Sequence, residues 1–215
     1  MTIDASDVAA GTAGACAVHA ARAVVEAIRA EGLAVVREAI PAALVGALRV
    51  AAHERDAAGE FRPAGVGRAA ARVERADVRG DRIRWLEPAE AGPAEAALFA
   101  RVDALRVAVN EALLLGLFDF EGHYAIYPAG AGYARHLDRF RDDDARVLSL
   151  IVYLNDGWTD ANGGALRVER GGGATCDVVP EGGTLVAFLS DRFPHEVRPA
   201  SRERLAFTGW FRRRA

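Results

Sequence analysis

The chain has 215 residues, is 51% hydrophobic and 27% charged, and carries a formal net charge of −3. That length suits a single core that needs no disulfide support, and the composition excludes a disordered, collagenous or disulfide-stapled chain. No apolar run reaches the roughly 20 residues of a membrane-spanning helix, and a near-neutral chain lacks the electrostatic footprint of a nucleic-acid binder.

The opening MTIDASDVAAGTAGA has no basic segment ahead of an apolar stretch, so no signal peptide is expected and a cytoplasmic location is. Residues 1–13 are small and polar and are expected to be flexible, with one domain over 14–215: helical support to about 116, then a β core over about 118–213. All 27 basic residues are arginine. With heavy alanine and glycine use, this points to a GC-rich, bacterial genome. Cys16 and Cys176 fit a reducing compartment, and no CxxC suggests zinc.

In chain order, the first predicted helix runs from about Ala15 to Arg29, with Val18, Ala21, Val25 and Ile28 on its apolar face and Gly32 as its stop. Leu33–Val36 is a strand candidate. A second helix starts near Pro41 and runs to about Ala57. Residues 59–85, rich in Gly and Arg, read as a long loop with one short strand, and such loops are often functional. A third helix spans about Pro93 to Leu115, with Leu98, Val102, Leu105, Val109 and Leu113 on one face. After Phe118 the period becomes two. Strands are predicted at 122–127, 132–138, 146–155, 164–168, 175–179, 183–189, 194–199 and 203–212, punctuated by Gly, Pro and Asp. Helices followed by eight short strands predict a β-sandwich or jelly roll with helices on one face, an α+β fold that is mainly β. The terminal FRRRA reads as a solvated tail.

Of five histidines, His19 and His53 read as surface or packing residues and His123 as structural. His136 stands in Tyr133-Ala134-Arg135-His136-Leu137-Asp138. On a strand, residues i and i+2 share a face, so His136 and Asp138 can present a nitrogen and a carboxylate to one ion. With His195 they compose the two-histidine, one-carboxylate set of non-haem Fe(II) oxygenases. Arg204 opens the last strand on a face shared with Ala206, Thr208 and Trp210, opposite the apolar Leu205, Phe207, Gly209 and Phe211. A buried Arg there pairs either with a ligand carboxylate or with a protein one. Tyr153 shares a face with Ser149 and Ile151, and its hydroxyl needs the same ligand carboxylate or a backbone carbonyl.

The runs YPAGAGYARHLD, RVLSLIVYLNDGW, GGALRV, SDRFPHEVRPA and RERLAFTGWF resemble the iron- and 2-oxoglutarate-dependent prolyl hydroxylases, in the branch of the animal oxygen-sensing enzymes and their bacterial relatives. The resemblance covers about residues 30–213. It implies a double-stranded β-helix in which His136, Asp138 and His195 bind Fe(II). Arg204 and Tyr153 would hold the tail carboxylate of 2-oxoglutarate, with Thr208 close by and Tyr127, Ile151 and Trp210 lining the pocket. The run Arg79–Trp85 resembles the family's RGD segment beside a mobile substrate-covering loop, with Trp85 at its end and Asp81 paired to Arg146. The Tyr127–His136 loop is one residue shorter than in the animal enzymes.

The function so implied is hydroxylation of a prolyl residue in a protein, with O2 consumed, succinate and CO2 released and ascorbate as reductant. The expected substrate is a bacterial protein such as a translation factor, and the expected state is a monomer, with no nucleic-acid or membrane partner. A hydroxylase of a free amino acid or other small molecule would share every iron residue. A nucleic-acid demethylase would want a basic groove, a dead binding module would lack a ligand residue, and a halogenase would have a small residue at Asp138.

Overall fold

The computed structural model describes residues 5–66, 73–75, 78–139 and 145–214. Helix α1 (Ala5–Glu31) starts well before the predicted Ala15. Its buried face is Ala20, Val24, Val25 and Ile28, while Val18 is 72% exposed. Val25 and Ile28 of the predicted face are buried and Ala21 packs against the core, so only Val18 departs from it, because alanines at nearly every turn blur the edge of the apolar stripe. Gly32 ends the helix at φ 77°, its N–H donating to Ile28 O, a backbone state glycine adopts without strain. Strand β1 (Leu33–Val36) follows, then α2 (Ala42–Ala57), with Pro41 at its N-cap and Val45, Leu48 and Ala52 buried.

The 59–85 segment holds more strand than predicted: β2 (Arg62–Pro63), β3 (Gly65–Val66), β4 (Val73–Glu74) and β5 (Arg82–Leu86). Within this predicted loop, residues 67–72 and 76–77 lie outside the described residues. β5 was hidden by its arginines. Arg82 and Arg84 point away from the sheet interior to the carboxylates of Asp56 and Glu60, while Ile83 and Trp85 point inward. Helix α3 (Pro93–Leu113) has Pro93 at its first position and Leu98, Val102, Leu105 and Val109 buried, as its spacing predicts.

The remaining strands are β6 (Leu117–Tyr127), β7 (Tyr133–His136), β8 (Arg146–Tyr153), β9 (Leu166–Arg170), β10 (Ala174–Val178), β11 (Leu185–Leu189), β12 (His195–Val197) and β13 (Arg204–Arg213). They build a seven-stranded sheet ordered β1-β11-β8-β13-β6-β5-β2 and a four-stranded sheet ordered β10-β9-β12-β7. One core lies between the large sheet and the helices and includes Tyr124, Leu150, Val152, Leu205, Phe207 and Phe211. The other lies between the sheets and includes Tyr127, Ile151, Tyr153, Leu166, Phe188 and Ala206. The alternation read from β13 thus holds: Leu205, Phe207 and Phe211 face the helices, and Arg204, Thr208 and Trp210 face the cleft between the sheets. The architecture is the predicted double-stranded β-helix with helices packed on one sheet. No helix among the described residues is long and apolar enough to cross a membrane.

Candidate active site

A cleft of about 470 Å³ opens between the sheets, within the range of small-molecule sites. On one wall, β7 and β12 pair antiparallel with His136 directly opposite His195. Asp138 lies two residues on, in the turn that follows β7. His136 Nε2 is 3.6 Å from Asp138 Oδ1, and His195 Nε2 is 3.7 Å from Asp138 Oδ2. One ligand atom from each of the three lies within 4.8 Å of the others.

The tautomers follow from the partners. His136 Nδ1 is 2.8 Å from Ala134 O and His195 Nδ1 is 2.9 Å from Phe193 O. A carbonyl only accepts, so each Nδ1 carries a hydrogen, and Nε2 is the nitrogen each ring turns to the shared space. Burial pushes the His195 imidazole below its ordinary value, against the pull of Asp138, and keeps it neutral. For Asp138, burial alone would raise the carboxyl. The electrostatic pull of the His195 and His136 rings and the hydrogen bond from Ser149 outweigh it and hold the group well below the usual carboxylate range. Two imidazole nitrogens and a carboxylate fit a divalent ion such as Fe(II), with coordination positions left for other ligands.

Across the cleft, Arg204 is 2% exposed. Its Nε donates to Gly164 O at 2.9 Å, and its guanidinium lies 5.2 Å from the Tyr127 ring and 5.0 Å from the Tyr153 ring. Gly164 has φ 72°, and a Cβ there would meet Ala200 Cβ at 2.9 Å. Only glycine lets this carbonyl reach Arg204 without strain. Among the described residues no carboxylate lies within ion-pair distance of Arg204, and Tyr153 Oη, in a fully buried side chain, makes no hydrogen bond. Neither protein-partner alternative is realised. Burial pushes the Tyr127 and Tyr153 hydroxyls up, so both stay protonated and able to donate. A fixed cation beside an uncommitted buried hydroxyl is a cradle for a carboxylate. Thr208 and Ile151 are direct cross-strand neighbours on the cleft floor.

One predicted pairing is not formed. Asp81 is bound bidentately by Arg79, at 2.7 and 2.9 Å, instead of by Arg146. Arg79 and Asp81 stand two apart in an extended segment, so they share a face and meet with little chain ordering. Arg146 donates to Glu121 at 2.9 Å and lies 3.5 Å over the Trp210 ring. Asp81 is buried behind Arg79, while Arg146, Trp85 and Trp210 line the cleft.

Sequence reasoning passed over four cleft residues. His123 lies between Trp85 and Trp210, 4.7 and 5.5 Å from their rings. Counting back by twos from Tyr127 on β6 reaches it, so the signal was present. Tyr133 stacks on His136 at 3.6 Å, and Arg79 lies 4.7 Å over Tyr133. Ser149, on the Tyr153 face of β8, donates to Asp138 Oδ2 at 2.6 Å.

Residues 122–212 match the 2OG-Fe(II) oxygenase superfamily. These residues run from within β6 into β13, the strands that build the cleft. A prolyl-4-hydroxylase from Pseudomonas putida is 48% identical, with a TM-score of 0.82 over 91% of this chain and all of that one. A prolyl hydroxylase structure in complex with a hypoxia-inducible factor peptide fragment, from Trichoplax adhaerens, is 25% identical with a TM-score of 0.82, covering 98% of this chain and 94% of that one. Human Egl nine homolog 1 is 38% identical over 144 residues, which are 63% of this chain and 33% of that protein. The matched region is thus about a third of the length of that relative. The chain belongs to the 2OG-Fe(II) oxygenase superfamily and, within it, to the prolyl hydroxylases.

Proposed function

We propose that this chain hydroxylates a prolyl residue in a protein substrate, using Fe(II), 2-oxoglutarate and O2, with ascorbate as reductant. The observation that carries this reading is the pairing in one cleft of the His136–Asp138–His195 group with the uncommitted Arg204–Tyr153 cradle. In this reading the three ligands hold iron. Arg204 and Tyr153 bind the distal carboxylate of 2-oxoglutarate, helped by the Tyr127 hydroxyl, while Ile151 and Thr208 support its carbon chain. Iron so held supplies coupled oxidation: 2-oxoglutarate loses CO2 to become succinate, one oxygen atom entering succinate and the other the substrate C–H bond.

The protein's own part is orientation and exclusion of water. The Nδ1 hydrogen bonds fix both imidazoles before any ion arrives, which limits the reorganisation that binding requires. Trp85, Trp210 and Arg146 line the cleft and are the side chains a prolyl ring would meet. Aromatic faces suit that ring, and their burial dries the reacting end. The similarity to the P. putida enzyme supports a bacterial setting, and we infer a cytoplasmic monomer acting on a protein such as a translation factor.

The test offers a proline-containing protein and free proline to the purified enzyme with Fe(II) and 2-oxoglutarate. Succinate release matched by gain of one oxygen mass on a peptide proline is expected. Turnover of free proline alone would replace this reading with that of a small-molecule hydroxylase.

A further inference from the structure

Ser149 and Ser190 are fully buried, and their hydroxyls are 2.9 Å apart. Ser149 Oγ also lies 2.6 Å from Asp138 Oδ2. The direction of this chain of hydrogen bonds is fixed by its proton count. Ser149 Oγ donates to Asp138 Oδ2, which spends its single hydrogen. Ser190 must then donate to Ser149. Each bond polarises the next, and the low local dielectric strengthens both.

The pair ties together three parts of the cleft. Ser149 stands on β8, on the face that carries Ile151 and Tyr153. Asp138 follows β7. Ser190 opens the turn after β11, five residues before His195, and is itself anchored through its backbone: its N–H donates to Val147 O at 3.0 Å and its carbonyl accepts from the Arg139 N–H at 3.2 Å. Neither serine is a metal ligand, and neither faces a solvent that could replace the lost partner. Satisfying a buried hydroxyl could be done with any carbonyl. Here the Ser149 hydroxyl is spent on one carboxylate oxygen and the Ser190 hydroxyl on Ser149.

We propose that Ser149 and Ser190 are positioning residues that commit Asp138 Oδ2 to a hydrogen bond, so that Asp138 gives a bound metal ion one oxygen rather than two. This rests on the oxygenase reading above and deepens it. A free carboxylate beside a divalent ion can chelate through both oxygens, and the second would take a position that 2-oxoglutarate needs. Holding Oδ2 keeps that position for the co-substrate and fixes the carboxylate plane.

The test uses metal-free full-length protein loaded with Co(II). The visible spectrum reports coordination, and calorimetry reports 2-oxoglutarate binding without turnover. Ser149→Ala is expected to change the Co(II) spectrum and to weaken 2-oxoglutarate binding to the loaded protein by roughly 10- to 100-fold, as loss of ligand-orienting partners does. Ser190→Ala touches no metal ligand and should shift both readings in the same direction by less. A wild-type Co(II) spectrum and wild-type 2-oxoglutarate affinity in Ser149→Ala would overturn the proposal while leaving the oxygenase reading intact. A wild-type protein that takes up no Co(II) at the triad would overturn both.

Discussion

Arg204 carries the most consequence for the least contact. It spends one hydrogen-bond donor on Gly164 O and, among the described residues, has no carboxylate within ion-pair distance for the rest of its fork. A buried cation in that state is costly until an anion arrives. Arg204→Ala should therefore weaken 2-oxoglutarate binding by roughly 10- to 150-fold, matching a charge-assisted hydrogen bond of about 1.5–3 kcal/mol. Lysine should restore only part, since a point charge does not reproduce the planar fork. Tyr153→Phe removes a neutral donor worth about 0.5–1.5 kcal/mol, a loss of roughly 2- to 10-fold. Calorimetric titration checks all three, and unchanged affinity in Arg204→Ala would remove its assigned role. At this scale the sequence shows what spacing can carry. The HxD tripeptide, the later histidine and the inward arginine are legible because strand alternation sets their direction. The Arg79–Asp81 pair and the Ser149 hydrogen bond are not, because each depends on which of several nearby partners wins.

Helix α3 is held by a buried charge. Glu95 is 1% exposed, accepts from Gly92 N–H at 2.8 Å and is paired with Arg55 at 2.8 and 2.9 Å. Burial alone would raise its carboxyl, but the Arg55 and Gly92 hydrogen bonds win and lower it. A carboxyl lowered by folding contributes stability that is present above its unfolded value, about 4.3, and is lost as pH falls through the folded value. Glu95→Gln should cost about 3 kcal/mol near neutrality, the low end for breaking a buried pair, because Arg55 keeps Glu60. It should also flatten the fall of melting temperature with acid. An unchanged acid slope would contradict this account. In β13, a Cβ at Gly209 would collide with the Phe120 ring and the Glu121 carbonyl. Gly209→Ala should lower stability by about 1–3 kcal/mol, the usual cost of overpacking, as read by thermal melting. Strands with one apolar face, such as β13, were legible in outline. β5 was not, because its arginines meet carboxylates on α2 and the following segment that no local pattern reveals.

For the whole molecule, the helices cover one face of the large sheet and leave the other for the cleft, so the reacting groups hang on paired strands and, for Asp138, on the turn that follows one. Ligands that bind only the folded protein stabilise it, by about 2.7 kcal/mol at a hundred times the dissociation constant. Mn(II) with 2-oxoglutarate should therefore raise the melting temperature of the wild type. The increment due to 2-oxoglutarate should shrink in Arg204→Ala, and an equal increment in both proteins would place the co-substrate elsewhere. The switch of hydrophobic period near Phe118 made the jelly roll legible. The start of α1 was not, because its sequence is mostly small residues that mark no face. The central claim is that the triad serves oxidation of a prolyl residue. Its most direct test is mass spectrometry of the host proteome from cells making the wild-type chain and cells making Asp138→Ala. The account predicts at least one prolyl residue that carries an added oxygen mass with the wild type and lacks it with the variant; identical proline masses in both proteomes would contradict it.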